Sequence, residues 1–124
     1  MSMIAAGSLA ACTLTALCAG GPNLPAESSL SLSLRGTDGV TRSVHLTCEP
    51  DTGTHPRAHQ ACAALEAADG DFDRLPELQR QCTMIYSPVR AHARGHWKGE
   101  SVRFTTEYSN PCFADARSGG VFGF

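Results

Sequence analysis

Four cysteines between positions 48 and 112 constrain the fold of this 124-residue chain more than any other feature. In a domain of roughly 100 residues, whose hydrophobic core is modest, an even number of cysteines favours disulfides. Three pairings are possible, and nearest-neighbour pairing is the simplest. No CxxC motif occurs, so a redox-active or zinc-ribbon site has little support. The four residues are Cys48, Cys62, Cys82 and Cys112.

The N-terminal run "MIAAGSLAACTLTALCAGG" has a different composition from the rest of the chain, because it is made of small and apolar residues. Residues 1–26 contain no Lys or Arg, and the run is short for a membrane span. A secretory signal peptide is favoured over a lipid anchor at Cys12. We therefore expect a signal peptide over residues 1–26, a single domain over residues 27–124, a secreted extracellular protein, and no membrane contact in its mature form.

Charge excludes one class of partner. The formal net charge is −2 and 18% of the residues are charged. Proteins that bind nucleic acid normally carry a basic excess, so no nucleic-acid partner is expected.

Alternating patterns predict an antiparallel sheet. "SLSLSLRG" places Leu30, Leu32 and Leu34 on one face of a strand, and a turn at "TDG" leads to a second strand that ends at Cys48. "EPDTGTHP" is rich in turn residues and is predicted to be a loop. "VRAHAR" and "HWKGESVRFTTEY" give another strand pair with a turn near Gly95, and the terminal "GVFGF" reads as a short final strand.

One helix is predicted over "RAHQACAALEAA", residues 57–68, because its apolar positions form a stripe that includes Cys62. "DFDRLPELQRQ" is predicted to form a helical turn or an open loop, since Pro76 prevents one long helix. About five strands with one or two helices indicate an α+β domain with an antiparallel sheet.

Residues that could support catalysis or metal binding form only weak patterns. Asp69, Asp71 and Asp73 lack the spacing of a calcium loop, so we expect a solvated turn, and no GxSxG motif is present. Paired histidines with no neighbouring carboxylate are more typical of solvated surface residues than of metal ligands. We therefore expect no enzyme activity, no cofactor and no metal site. The histidines are His45, His55, His59, His92 and His96.

The stretch "QCTMIYSPV" is the candidate site. The simplest interpretation makes Met84, Ile85 and Tyr86 the buried start of a strand. Three features favour a projecting loop instead. Cys82 is able to fasten the segment, Pro88 restricts the residue before it to an extended shape, and the preceding "RLPELQRQ" is polar.

The motif "CEPDTGTHPRAHQACAAL" resembles the signature of the Streptomyces subtilisin inhibitor family of secreted protease inhibitors. "CTMIYSPV", "GHWKG", "YSNPC" and "VFGF" extend the resemblance over nearly everything from Leu30 to Phe124. The resemblance implies a five-stranded antiparallel sheet with two helices, the disulfides Cys48–Cys62 and Cys82–Cys112, and a homodimer formed by packing two sheets face to face.

The same resemblance implies an inhibitor of subtilisin-like, or chymotrypsin-like, serine endopeptidases with Met84–Ile85 as the reactive bond. Asn110 is similar to the side-chain amide that supports the loop in this family. Two alternatives stay open: a secreted binding module on the same scaffold without inhibitory activity, and a small extracellular hydrolase or metal-binding protein that uses the histidines. The residues expected to contact the protease beside the reactive bond are Gln81, Cys82, Thr83, Tyr86 and Ser87.

Overall fold

The computed structural model describes residues 27–124, so the expected signal peptide lies outside the described residues. No helix in residues 27–124 is long and apolar enough to cross a membrane. The elements in chain order are β1 (Ser28–Gly36), β2 (Thr41–Cys48), β3 (Thr52–Gly53), α1 (Ala58–Ala67), a 3₁₀ helix (Phe72–Arg74), β4 (Val89–Trp97), β5 (Glu100–Tyr108) and α2 (Pro111–Arg117).

The five strands form one antiparallel sheet in the order β3-β2-β1-β4-β5. β1 is central: Leu32 lies opposite Val44 of β2 on one side and Ala93 of β4 on the other. This architecture confirms the predicted α+β class with a five-stranded antiparallel sheet, two helices and two disulfides.

One face of the sheet packs against the two helices and forms the core. Leu30, Leu32 and Leu34 all point to this face and are buried, as the alternation of β1 predicts. Leu65 of α1 and Ala114 of α2 reach the same core and are fully buried. Within residues 27–124 no helix covers the opposite face of the sheet, and the side chains on that face are exposed or half-buried.

The first disulfide joins helix to sheet. Cys48 ends β2 and Cys62 lies in the middle of α1, with 5.7 Å between their Cα atoms. The chain-entropy model assigns roughly 3 kcal/mol of stabilisation to a bridge that closes a loop of this length.

The turn between β4 and β5 lies further along the chain than the sequence predicts. β4 continues through Gly95, and the turn is formed by Lys98 and Gly99, whose positive φ angles of 48° and 86° suit a two-residue hairpin turn. A Cβ atom on Gly95 would lie 2.1 Å from the carbonyl oxygen of Ser29. Glycine therefore marks a close approach of β1 and β4 here rather than a turn.

The prediction of a C-terminal strand is wrong. Residues 118–122 form turns after α2, and Val121 and Phe122 are completely buried in the core. Gly119 and Gly120 have positive φ angles that fold the tail back onto the domain. The fifth strand is instead the short β3, which lies inside the segment predicted to be only a loop and pairs with Leu46 and Thr47.

Candidate functional site

Three consecutive large apolar side chains are exposed in the segment before β4. Met84, Ile85 and Tyr86 are 86%, 67% and 72% exposed, and Val40 is the only other exposed large hydrophobic side chain in residues 27–124. They lie in residues 75–88, which contain no helix or strand and which we call the exposed loop. The interpretation of this stretch as a buried strand is therefore wrong: the strand begins only at Val89.

A disulfide attaches the exposed loop to α2. Cys82 is bonded to Cys112, and their Cα atoms are 5.7 Å apart. Cys112 is the second residue of α2, whose buried residues Ala114 and Ala116 anchor that helix in the domain. The bridge therefore connects the loop, two residues before Met84, to a fixed element.

Asn110 supports the loop from below with its side chain. Its Nδ2 amide donates hydrogen bonds to the carbonyl oxygens of Thr83 (3.1 Å) and Ile85 (2.7 Å). Its Oδ1 accepts a hydrogen bond of 3.0 Å from the backbone N–H of Phe113, which caps the N-terminus of α2. Pro111 occupies the first turn of α2, where a missing N–H costs nothing, so it is compatible with both roles of Asn110.

Asn110 is 5% exposed; its two Nδ2 hydrogen bonds reach the loop, and the bond at Oδ1 fixes the same side chain to the start of α2. Because both the Nδ2 and the Oδ1 atoms of this buried side chain have hydrogen-bond partners, Asn110 is held in one rotamer with a defined orientation of its amide group. The sequence indicates this role only through the family resemblance.

The N-terminal half of the exposed loop has its own anchors. The backbone N–H of Leu78 donates to the carbonyl oxygen of Ala116 at 2.7 Å. Arg80 forms an ion pair with Asp115 of α2, and Asp115 also accepts a hydrogen bond of 2.8 Å from Arg57. Asp115 has a side chain only 13% exposed, so the two arginines neutralise a carboxylate that is largely shielded from water.

The C-terminal half is attached to β5. The backbone N–H of Ser87 donates to the carbonyl oxygen of Ser109 at 2.8 Å. The hydroxyl of Tyr86 makes a long hydrogen bond of 3.5 Å to Glu107. Both ends of the loop are therefore attached to the domain, while Met84 and Ile85 between them project into solvent.

The residues predicted to form the reactive bond and its flanks all lie in this loop, and Asn110, predicted to support it, lies directly beneath it. Sequence reasoning missed Arg80 and its partner Asp115, which lie 35 positions apart, because an ion pair at that separation leaves no local pattern. The residues that lie together are Gln81, Cys82, Thr83, Met84, Ile85, Tyr86, Ser87 and, buried behind them, Asn110.

The histidines do not form a second site in the described part of the chain. His55 is buried, contrary to the expectation of five solvated histidines: its Nε2 donates to the carbonyl oxygen of Val121 at 2.9 Å and its Nδ1 accepts from the N–H of Arg57 at 3.0 Å. Burial lowers the pKa of His55 below its usual value. His45, His59, His92 and His96 are exposed.

One group of potential metal ligands occurs in residues 27–124, and it consists of Cys48, Cys62 and Asp51. Its two sulfur atoms are bonded to each other in the first disulfide. They therefore have no thiolate to offer a metal ion.

Comparison with known proteins gives matches over most of the chain. The family model described as "Subtilisin inhibitor-like" matches residues 26–110. The chain is similar to "Protease inhibitor SIL-V2" of Streptomyces orinoci, with 40% identity over 82% of this chain and 100% of the relative. It is also similar to "Subtilisin inhibitor-like protein 5" of Streptomyces fradiae, with 42% identity over 67% of this chain and 79% of the relative.

A solved structure shares the fold. It is the crystal structure of Streptomyces caespitosus sermetstatin in complex with Bacillus licheniformis subtilisin. The match has a TM-score of 0.61 and 30% sequence identity, and it covers 78% of this chain and 98% of that chain.

Proposed function

Because this chain belongs to the subtilisin inhibitor-like family, we propose that it is a secreted inhibitor of subtilisin-like serine endopeptidases with Met84–Ile85 as its reactive bond. The observation that carries the proposal is the exposure of Met84 on a segment that is attached on both sides. Its side chain is 86% exposed, while Cys82 is bridged to α2 and the carbonyl oxygens of Thr83 and Ile85 are bonded to Asn110.

The carbonyl groups around Met84 suit a protease active site. The carbonyl oxygens of Thr83 and Ile85 both accept a hydrogen bond from the side-chain amide of Asn110, so they point to the same side of the segment. Along an extended segment successive carbonyls point to opposite sides, so the carbonyl of Met84 is directed away from the domain. That is the direction from which an oxyanion hole reaches the scissile carbonyl of a substrate.

In this assignment Met84 enters the main specificity pocket of the protease. Gln81, Cys82 and Thr83 lie along the enzyme cleft before the bond, and Tyr86 and Ser87 follow it. Met is long, unbranched and polarizable, and it suits the broad apolar pocket of subtilisin-like or chymotrypsin-like enzymes. Trypsin-like enzymes would require Lys or Arg at this position.

Attachment of both ends of the loop explains inhibition rather than rapid cleavage. A segment that already has its bound shape loses little conformational entropy on binding, so its affinity is high. After cleavage, the disulfide and Asn110 keep the new amine next to the acyl-enzyme. Religation then competes with hydrolysis because the effective concentration of the amine is high.

The proposal also concerns how copies of the chain assemble. The family resemblance implies a homodimer formed by packing two sheets face to face, and this stays a prediction. The side of the sheet that faces away from the helices is the surface that would form such an interface. The disulfide and the hydrogen bonds that hold the exposed loop all lie within one copy of the chain, so each copy of the dimer would carry its own inhibitory loop.

Titration of subtilisin tests the proposed function directly. A fixed amount of active enzyme is mixed with increasing amounts of the purified protein, and the residual activity on a small chromogenic substrate is measured. An inhibitor abolishes activity at a one-to-one ratio of loop to enzyme. Full activity at a large excess of the protein would overturn the proposal and favour a non-inhibitory binding module on the same scaffold.

A further inference from the structure

Met84 is the one methionine within residues 27–124, since Met1 and Met3 lie outside the described residues. Its side chain is 86% exposed, which makes it the most exposed of the large apolar side chains in this part of the chain. Methionine more commonly fills gaps in a hydrophobic core, where the surrounding side chains shield its sulfur. In this protein the thioether sulfur is open to solutes in the surrounding water.

An exposed thioether reacts with peroxides. A lone pair of the sulfur attacks one oxygen of hydrogen peroxide, the O–O bond breaks, and the second oxygen leaves as water. The sulfur loses two electrons and the peroxide gains them, so the reaction needs no further reactant. The product is methionine sulfoxide, which is polar where methionine is apolar, and reductases convert it back to the thioether.

Within residues 27–124 no other side chain competes strongly with Met84 for the oxidant. All four cysteines of this part of the chain are paired in disulfides, so none is present as a reactive thiol. Trp97 is the one tryptophan of the chain, and it is only 5% exposed. A mild peroxide treatment should therefore modify Met84 before any other described residue.

Oxidation of Met84 would leave intact the contacts that hold the exposed loop. Those contacts are made by neighbouring groups: the disulfide at Cys82 and the hydrogen bonds from Asn110 to the carbonyl oxygens of Thr83 and Ile85. The side chain of Met84 itself projects into solvent. The modified loop should therefore keep its shape and stability, while its fit to a partner changes.

The fit changes because the pocket that receives Met84 is apolar under the proposed function, on which this inference rests. Methionine suits such a pocket because its side chain carries no strong hydrogen-bonding group. The oxygen of a sulfoxide is a strong hydrogen-bond acceptor, and it would have to leave water for a pocket that offers no donor. Burial of a polar group without a compensating hydrogen bond is costly, so the oxidised loop binds less tightly.

We propose that Met84 is a reversible redox switch at the reactive bond, at which a peroxide forms the sulfoxide and relieves protease inhibition until reduction restores the thioether. In a complex with the protease, the pocket encloses this side chain and shields its sulfur. The oxidant therefore acts on the free inhibitor. Peroxide sets how much inhibitor is available for new complexes, while complexes that have already formed persist.

The test oxidises the purified protein with hydrogen peroxide, removes the peroxide with catalase, and only then adds subtilisin. Peptide mass spectrometry measures the gain of one oxygen at Met84 and distinguishes it from oxidation at Met1 or Met3. We expect the inhibition constant to rise at least about tenfold when Met84 is fully oxidised. Treatment with a dithiol and the methionine sulfoxide reductases for both sulfoxide epimers should restore the original inhibition constant.

Met84→Leu is the matched control, because it keeps an apolar side chain at the reactive bond and contains no sulfur there. Each protein is compared with its own untreated sample, and the treated Met84→Leu protein should keep the inhibition constant of its untreated sample. Urea unfolding of the oxidised wild type should give the free energy of unfolding of the untreated wild type. This second measurement separates a change of fit from damage to the fold.

The proposal would be overturned by an unchanged inhibition constant at full oxidation of Met84, or by an equal loss of inhibition in treated Met84→Leu. It would also be overturned by a loss that the reductases do not reverse, or by resistance of Met84 to an exposure that fully oxidises free methionine. Absence of inhibition by the untreated wild type would instead overturn the proposed function, and this inference with it.

Discussion

The side-chain amide of Asn110 donates a hydrogen bond of 2.7 Å to the carbonyl oxygen of Ile85, the residue after the proposed reactive bond. The same nitrogen donates to Thr83, the residue before Met84. One buried amide therefore holds the backbone on both sides of the bond. After cleavage it would still hold both new chain ends in place.

Replacement of Asn110 by Asp separates loop support from helix capping. Asp keeps the oxygen that accepts from the N–H of Phe113, but it places a carboxylate against the carbonyl oxygens of Thr83 and Ile85. We expect Asn110→Asp to remain folded and to be hydrolysed by subtilisin at least about tenfold faster, since two hydrogen bonds to the loop are lost. Mass spectrometry of timed digests measures the cleavage rate at Met84–Ile85.

Asn110→Ala loses the cap as well and should in addition be less stable by about 1 kcal/mol in urea unfolding. If Asn110→Asp resisted cleavage as well as the wild type, the amide would have only a capping role.

The side chain of Met84 sets the choice of protease. It is exposed and makes no contact that the domain needs, so it can be exchanged without loss of stability. We expect Met84→Lys to weaken inhibition of subtilisin and to create inhibition of trypsin, because a cation suits the trypsin pocket. Met84→Leu is the matched control and should still inhibit subtilisin.

The measurement is the ratio of the inhibition constants for the two enzymes in each variant. An unchanged ratio in Met84→Lys would show that another residue occupies the specificity pocket.

The two disulfides should differ in their effect on inhibition. Removal of Cys82–Cys112 in C82S/C112S should lower the free energy of unfolding by about 3–4 kcal/mol and release the loop from α2, so that subtilisin cleaves it as a substrate. Removal of Cys48–Cys62 in C48S/C62S should cost roughly 3 kcal/mol but leave the loop attached.

Unfolding in urea gives the two stabilities, and digestion below the unfolding transition gives the two cleavage rates. Equal cleavage rates in the two variants would mean that the second bridge contributes only global stability.

Ion pairing of Arg80 with Asp115 provides a further attachment of the loop. Asp115→Asn leaves Arg57 and Arg80 without their shared carboxylate, and we expect a loss of about 1–3 kcal/mol together with a looser loop. Trypsin should then cut after Arg80 faster than in the wild type. Asp73→Asn makes the same change of charge at an exposed acidic residue and serves as the control. The same trypsin cleavage rate in both variants would argue against this anchor.

The sequence predicts those features that repeat at short range. Alternation of Leu30, Leu32 and Leu34 predicts β1 and its buried face, because only one register places all three in the core. The stripe of apolar residues through Cys62 predicts α1, and it predicts that Cys62 lies on the buried face of that helix.

Features that depend on distant contacts were not predictable in this way. His55 is buried because the carbonyl oxygen of Val121, 66 positions away, accepts from its ring, and nothing near His55 in the sequence indicates this bond. Residues 121–122 look like a strand, but the positive φ angles of Gly119 and Gly120 turn them into the core instead. For the candidate site, Cys82 and Pro88 indicated a fixed loop, while its support by Asn110 came only from the resemblance.

Burial of His55 predicts how stability depends on pH. Its ring is neutral in the folded protein, since Nδ1 accepts from Arg57 and Nε2 donates to Val121, and burial lowers its pKa below the unfolded value of about 6.5. Below that pH the unfolded chain binds a proton that the folded chain does not. The free energy of unfolding is therefore fully retained above about pH 6.5 and falls as the pH drops, by up to about 1.4 kcal/mol per pH unit.

His55→Asn keeps an acceptor for the Arg57 N–H and should show a flatter decline of the free energy of unfolding between pH 8 and pH 5.5 in urea unfolding, although it starts from a lower stability. His96→Gln changes an exposed histidine and should keep the slope of the wild type. If all three proteins had the same slope, His55 would not be the group responsible for acid destabilisation.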